Sequence, residues 1–448
     1  MAISRKVSGA PSDAKGPLSS MLGAVAVQCL FLVMSLATGV LSARILGAEG
    51  RGIFAAITAL PQLLSGLAGA GFGGAIIVML RQSDSPESAR IVSGNALQLG
   101  FLSSTIAAIV GMLLTPITLA GYSPEVILIG QWSMLGVFAS TLLIIYRGGF
   151  AGTCAFNAMN LLGLMPQLVY LSALGIWIAL RPLSAVQAAL LFLGSSWLAV
   201  LLLTPTFAAG NRPILGRSSF IRLRAFQSYV FRALGYDLVL VISNSIDRLI
   251  LIPFVPPAEL GLYAVAVGFA RLVAVVLPAI NTVLLSSMSQ RTDPLELKEL
   301  HDRAFRFALA GLAVVVVVVV AISSWLLVLI YGPEFAAASS IFNVLVFEAS
   351  LGCLVAITTQ TYLAWNRPGV VSVIYGTSLA IFFAAAAALI PLLGAEGAAF
   401  ALLAGTATRL LGLLACLPLR YGMALPRLTL DRADLSYVVS RVNAMRGR

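Results

Sequence analysis

The chain has 448 residues, 60% hydrophobic and only 10% charged, with a formal net charge of +11. A soluble domain carries roughly 25% charged residues, so a water-soluble fold of this length is excluded and the bilayer is the solvent for most of the chain. The apolar runs are continuous rather than alternating, as in GLAVVVVVVVAISSWLLVLIYG (311–332), which excludes a membrane barrel and leaves helices.

In chain order, the first sixteen residues, MAISRKVSGAPSDAKG, are polar and basic. They read as a cytoplasmic tail, and the apolar run behind them is too long for a signal-peptide core. Twelve spans are predicted: 18–43, 53–80, 91–120, 124–146, 154–180, 184–208, 228–255, 260–285, 305–331, 337–364, 369–393 and 397–419. Pro61-Gln62 predicts a kink in the second span. The longest polar connections are 209–227, 286–304 and the tail from Arg420. His301 falls in a charged loop, where a catalytic or metal role is not expected. Cys29, Cys154, Cys353 and Cys416 lack metal-ligand spacing and read as small apolar residues in packed helices. Gln28, Gln131, Asn157, Asn160 and Asn281 read as interhelical hydrogen-bonding groups. Trp132, Tyr146 and Trp365 read as interface anchors.

The basic residues set the orientation. With the N-terminus inside, inside segments hold 21 arginines and lysines, outside segments hold only Arg44, Arg51 and Arg181, and four more fall within spans. Both termini are therefore expected in the cytoplasm. The positive charge is a cytoplasmic-face excess suited to anionic phospholipid headgroups, and nucleic acid is not an expected partner. The chain also looks duplicated. LGAEGRGIFAA (46–56) before span two and PAELGLYAVA (257–266) before span eight share Ala-Glu, then Gly, an aliphatic, an aromatic and Ala, and GAEGAAFA (394–401) recurs before span twelve. Six spans precede the basic loop near Arg212 and six follow it. This predicts an all-α integral membrane protein of about twelve transmembrane helices in two six-helix lobes, related as parallel repeats. The lobes are 1–210 and 211–420, followed by a cytoplasmic tail, 421–448.

ARILGAEGRGIFAA (43–56) and SIDRLILIPFVPPAELGLYAVA (245–266) resemble the polysaccharide transporter (Wzx-type) flippases of the multidrug/oligosaccharidyl-lipid/polysaccharide exporter (MOP) superfamily. The resemblance covers nearly the whole chain in span count and layout, and its sharpest part is Asp247-Arg248 followed by Glu259-Leu260-Gly261-Leu262-Tyr263. It implies a MATE-like pair of lobes around a cavity open alternately to each side. It also implies a cargo of lipid-linked oligosaccharide on undecaprenyl pyrophosphate, moved to the outer leaflet of the bacterial cytoplasmic (inner) membrane for assembly of O-antigen, capsule or exopolysaccharide, with other polysaccharide assembly proteins as partners.

Charges within a span mark a cavity or a partner. Seven are expected there, all in the second half: Arg232, Asp237, Asp247, Arg248, Arg271, Glu348 and Arg409. Arg271, Glu348 and Arg409 each lie about a dozen residues into their spans, ~18 Å deep at 1.5 Å per residue, which reads as one cavity layer. Asp237, Asn244 and Arg248 share one face of span seven. Arg271 and Arg409, then Arg248 and Asn244, are the candidate contacts to pyrophosphate and glycan, because guanidinium groups bind phosphate bidentately. Asp237, Asp247 and Glu348 are candidates for H+ or Na+ coupling or for salt bridges within the lobe. No cofactor and no metal site is expected. A cation-coupled drug exporter on the same fold is the nearest alternative, and it would favour an acidic, aromatic cavity. A polytopic glycan polymerase or ligase is a further one. The outer loops, each with a lone Glu (Glu49, Glu125, Glu259, Glu334, Glu396) at a helix start, offer no catalytic cluster, so no enzyme is expected.

Overall fold

The computed structural model describes residues 17–214, 220–276, 294–365 and 367–426. The N-terminal tail, Asn281, the end of span eight and the C-terminal tail from 427 lie outside the described residues, as do the side chains of Gln28 and Arg232. The described residues form helices α1 Pro17–Gly69, α2 Phe72–Arg81, α3 Pro86–Thr118, α4 Pro124–Trp132, α5 Leu135–Gly152, α6 Phe156–Leu180, α7 Ala185–Asn211, α8 Phe220–Leu251, α9 Pro257–Ala270, α10 Pro294–Tyr331, α11 Ser339–Ala364 and α12 Pro368–Tyr421. Short 3₁₀ turns follow α9 (Arg271–Val276) and precede α11 (Pro333–Ala338). Eight helical stretches among these residues are long and apolar enough to cross a membrane.

Two of those stretches are hairpins. Gly47 within α1 has φ 66°, ψ −177°, and Gly394 within α12 has φ 54°, ψ −128°. Glycine adopts positive φ at no steric cost, so the chain reverses there with almost no loop. Both turns are spelled the same way, Leu-Gly-Ala-Glu-Gly at 46–50 and 393–397. Counting the arms of α1 and α12 separately, and joining α2 to the second arm of α1 and α5 to α4, gives twelve segments in the order of the twelve predicted spans. α8 is not among the eight apolar stretches, because arginines and aspartates interrupt it. Pro61 leaves the helix continuous, and the second span breaks instead at Ala70-Gly71, where Gly71 has φ 77°. Helix starts carry ordinary signals, such as the reciprocal Ser184–Gln187 capping box of α7.

The two sequence phrases thought to be repeats pack against each other. A Cβ on Gly52 would sit 1.7 Å from the carbonyl oxygen of Pro257, and one on Gly261 would sit 1.9 Å from that of Ala48. Gly52 and Gly261 occupy equivalent places in GIFA (52–55) and GLYA (261–264), so α1 and α9 meet backbone to backbone at matching residues. Around this seam one hydrophobic core runs through both halves of the chain, from Phe54 and Leu174 to Tyr263, Phe335, Leu345 and Ala398. At the opposite end of the helices the core divides. One cluster gathers Ile76, Ile145, Phe150 and Phe207 from the first half with Phe226 and Val230 of α8, and a separate one gathers Phe305, Tyr362, Tyr375 and Leu413 from the second.

Several minor expectations are corrected. His301 is not in a loop but in α10, fully buried, between Asp302 Oδ1 at 3.1 Å and Thr358 Oγ1 at 3.3 Å. Tyr146 is buried and its hydroxyl meets Thr204 Oγ1 at 2.9 Å, so it is a packing residue and not an anchor. Cys29 and Cys154 are exposed, whereas Cys353 is buried. Gln131 does bond between helices, donating to the Met112 carbonyl at 3.3 Å.

Candidate functional site

Just below the glycine seam lies a cavity of about 540 Å³. Its walls come from both arms of α1, from α6 to α10, and from the 3₁₀ turn after α9. Three arginines line it: Arg51, Arg248 and Arg271. No carboxylate is among its described lining residues.

Each guanidinium is held by neutral groups. Arg51 Nη1 donates to Ser42 Oγ at 3.2 Å, and its guanidinium carbon stands 4.8 Å from the centre of the Phe54 ring. Arg248 Nη1 donates to Gln62 Oε1 at 3.4 Å. Arg271 Nη2 donates to the Asn244 carbonyl at 3.0 Å. The Nε of Arg51 and the Nε of Arg248 are buried without a protein acceptor. A buried donor left unpaired costs about 1–3 kcal/mol, so an anion taken into this space recovers energy that the protein has left unspent. The other wall is uncharged and polar, with Thr38, Thr58 and Gln167 beside Tyr170 and Tyr331.

The remaining candidates lie elsewhere. Asp247, one position from Arg248 on α8, faces the other way, and its Oδ2 accepts from the buried Tyr263 hydroxyl at 2.8 Å. The Asn244 side chain is exposed and outside the cavity lining, so that residue contributes its carbonyl. Asp237 Oδ2 accepts from the Gly71 N–H at 2.8 Å, bridging α8 to the break before α2. Arg409 and Glu348 are not part of the cavity lining. Arg409 Nε donates to Ser378 Oγ at 2.8 Å and its guanidinium packs 5.1 Å from the Tyr375 ring, while Glu348 Oε1 accepts from Thr406 Oγ1 at 2.6 Å. Among the described residues neither makes an ion pair within 4.0 Å, although Glu348 feels both Arg409 and Arg271 at longer range. Arg271 thus lines the cavity while Glu348 and Arg409 do not, because equal depth along different helices does not fix which way each face turns.

Arg51 is the residue that sequence reasoning missed. The sequence alone places it in an outer loop, but the helix resumes at Ala48 immediately after Gly47, so Arg51 lies one turn into the second arm of α1. The second Leu-Gly-Ala-Glu-Gly at 393–397 is the signal that marks this sequence as a turn of minimal length. The lone outer glutamates also do more than favour their own helix starts. Glu334 Oε2 accepts from Ala48 N–H at 3.3 Å and Glu259 Oε1 from Ala395 N–H at 2.7 Å, so the first secures the Gly47 turn and the second the Gly394 turn. Arg44 completes the first clasp by donating to the Ile330 and Leu329 carbonyls at 2.7 and 2.5 Å, where α10 ends.

A profile described as polysaccharide biosynthesis protein matches residues 41–340. No curated protein matches the sequence. Among solved structures, the lipid II flippase MurJ in an inward closed conformation superposes with a TM-score of 0.75 at 13% identity, covering 88% of this chain and 86% of that one. An inward-facing multidrug resistance MATE family transporter of the MOP superfamily gives 0.67 at 15% identity, over 87% and 97%. A MOP superfamily transporter from Pyrococcus furiosus gives 0.59 at 15% identity, over 89% and 93%. At these identities the likeness establishes the fold: an all-α membrane protein of the MATE and MurJ type.

Proposed function

This chain belongs to the polysaccharide biosynthesis protein family, with the fold of MOP-superfamily membrane transporters and not that of an enzyme, and we propose that it flips a lipid-linked oligosaccharide across the bilayer. The observation that carries the proposal is the cavity with Arg51, Arg248 and Arg271 and no carboxylate among its described lining residues. A pyrophosphate-linked glycan is anionic and strongly hydrated. Permanently charged guanidinium forks match phosphate oxygens, and the hydroxyl and amide wall suits sugar hydroxyls. The lipid tail stays in the membrane while the head group crosses.

In this reading the twelve segments all cross the bilayer as two six-helix lobes, 1–210 and 211–420. The contact of Gly52 with its repeat equivalent Gly261 is what a pseudo-twofold between parallel lobes requires at its axis. The Gly47 end faces outward and both termini lie in the cytoplasm, as the basic-residue bias favours. The core shared at the Gly47 end then seals the cavity on the outer side, with loading from the cytoplasmic leaflet of a bacterial inner membrane. Cargo is an undecaprenyl pyrophosphate-type oligosaccharide for O-antigen, capsule or exopolysaccharide. All three carboxylates considered for H+ or Na+ coupling or for salt bridges accept a hydrogen bond in this structure, Asp237 from Gly71, Asp247 from Tyr263 and Glu348 from Thr406. A cationic-drug exporter is disfavoured by the same absence of a lining carboxylate.

The test is translocation of a labelled lipid-linked oligosaccharide in proteoliposomes. Arg51→Ala, Arg248→Ala and Arg271→Ala should each abolish it while the protein stays folded. Wild-type transport in all three would refute the proposal, and selective uptake of a cationic dye would favour the exporter.

A further inference from the structure

A second site lies away from this cavity, at the end opposite Gly47. Because α12 folds back at Gly394, its two ends return to the same level of the molecule. Arg367, which precedes the helix, and Arg420, in its last turn, line one cavity of about 470 Å³. Val370, Val373, Ile374 and Cys416 form its apolar walls. Both arginines are exposed, and among the described residues neither is ion-paired.

The setting selects the ligand. The neighbouring surface is apolar and outward-facing, with Val373 69% and Leu419 84% exposed, so acyl chains surround it in a membrane protein. The two guanidinium groups sit where the apolar arms of α12 end, which is headgroup level. The start of α12 adds partial positive charge beside Arg367. A phosphate between two guanidinium groups gains charge-assisted bonds from both, and a chain attached to it has an apolar trough to follow.

We propose that this groove is a binding site for an anionic phospholipid, with its phosphate between Arg367 and Arg420 and one acyl chain along Val370, Val373, Ile374 and Cys416. The bound lipid ties the two ends of α12 together on the outer surface of the second half, independently of the cargo cavity.

Native mass spectrometry of the full chain tests this, with phosphatidylglycerol and phosphatidylcholine of identical acyl chains supplied in equal amounts. An arginine near a headgroup contributes about fivefold to anionic-lipid affinity, so wild type should retain phosphatidylglycerol roughly twentyfold or more over phosphatidylcholine. Arg367→Ala and Arg420→Ala should each lower that preference about fivefold, and the pair should abolish it. Cys416→Trp, which fills the trough and keeps both charges, should also displace the lipid, whereas Arg181→Ala, an exposed helix-end arginine elsewhere, should not. Inorganic phosphate should fail to compete. An unchanged preference in the double variant, an equal loss in Arg181→Ala, or competition by inorganic phosphate with no effect of Cys416→Trp would each overturn the proposal.

Discussion

Gly52→Ala is the sharpest perturbation of this molecule. The new methyl carbon would stand 1.7 Å from Pro257 O, 2.5 Å from Pro257 C and 3.0 Å from Gly261 N. All three are backbone atoms, so no side chain can rotate away. Ordinary contact begins near 3.4 Å, and α1 and α9 must separate by well over an ångström to restore it. Overpacking of well-packed sites costs about 1–3 kcal/mol, and a rigid backbone seam belongs at the upper end. At 1.4 kcal/mol per factor of ten, a seam-closed state is then disfavoured by about 5- to 150-fold. Hydrogen exchange of the amides in 48–55 and 257–263 should accelerate by that factor, and cargo transport should fall because the Gly47 end no longer seals. Gly175→Ala, on α6 with nothing within 4 Å of its new carbon and outside the cavity lining, should change neither. Unaltered exchange in Gly52→Ala would show that the helices do not meet here.

Arg409→Ala should differ from the three cavity arginines. It removes a charge-assisted bond to Ser378, whose hydroxyl still donates to the Tyr375 carbonyl, and uncovers the Tyr375 ring, so it should cost about 1.5–3 kcal/mol of stability, read as a lower thermal midpoint, with transport lost only in proportion to the protein unfolded. Tyr263→Phe leaves the buried Asp247 with no donor for either carboxylate oxygen. A buried polar group left without its partner costs about 1–3 kcal/mol, read as a lower denaturant midpoint, whereas an unchanged midpoint would mean that Asp247 is solvated. Glu334→Gln should speed exchange of the Ala48 amide and leave that of Ala395, held by Glu259, untouched; equal changes at both would deny that the two clasps are separate. Gly394→Ala forces a side chain into positive φ, a strain of about 1–3 kcal/mol, and should loosen the α12 hairpin in limited proteolysis.

Much of the architecture was legible from residue chemistry alone. A chain with so few charges must take lipid as its solvent, and apolar runs of helical length determine the number and order of segments whatever the packing. Arg248 and Arg271 were legible as residues with reason to face a cavity, because a charge inside a membrane is costly anywhere else. What the sequence could not determine was direction. Arg271 and Arg409 sit at similar depths, yet one lines the cavity and the other is folded against Ser378 and Tyr375. Depth follows from counting along a helix, but facing depends on how that helix is rotated against its neighbours. Asp247 and Arg248 are adjacent in sequence and serve opposite sides of α8 for the same reason. Arg51 became an interior charge only because Gly47 turns the chain within a single residue, and Gly52 lets the two halves close above it. Sequence determined that this protein lives in the bilayer and carries arginines there; tertiary packing alone decided which three of them share a cavity.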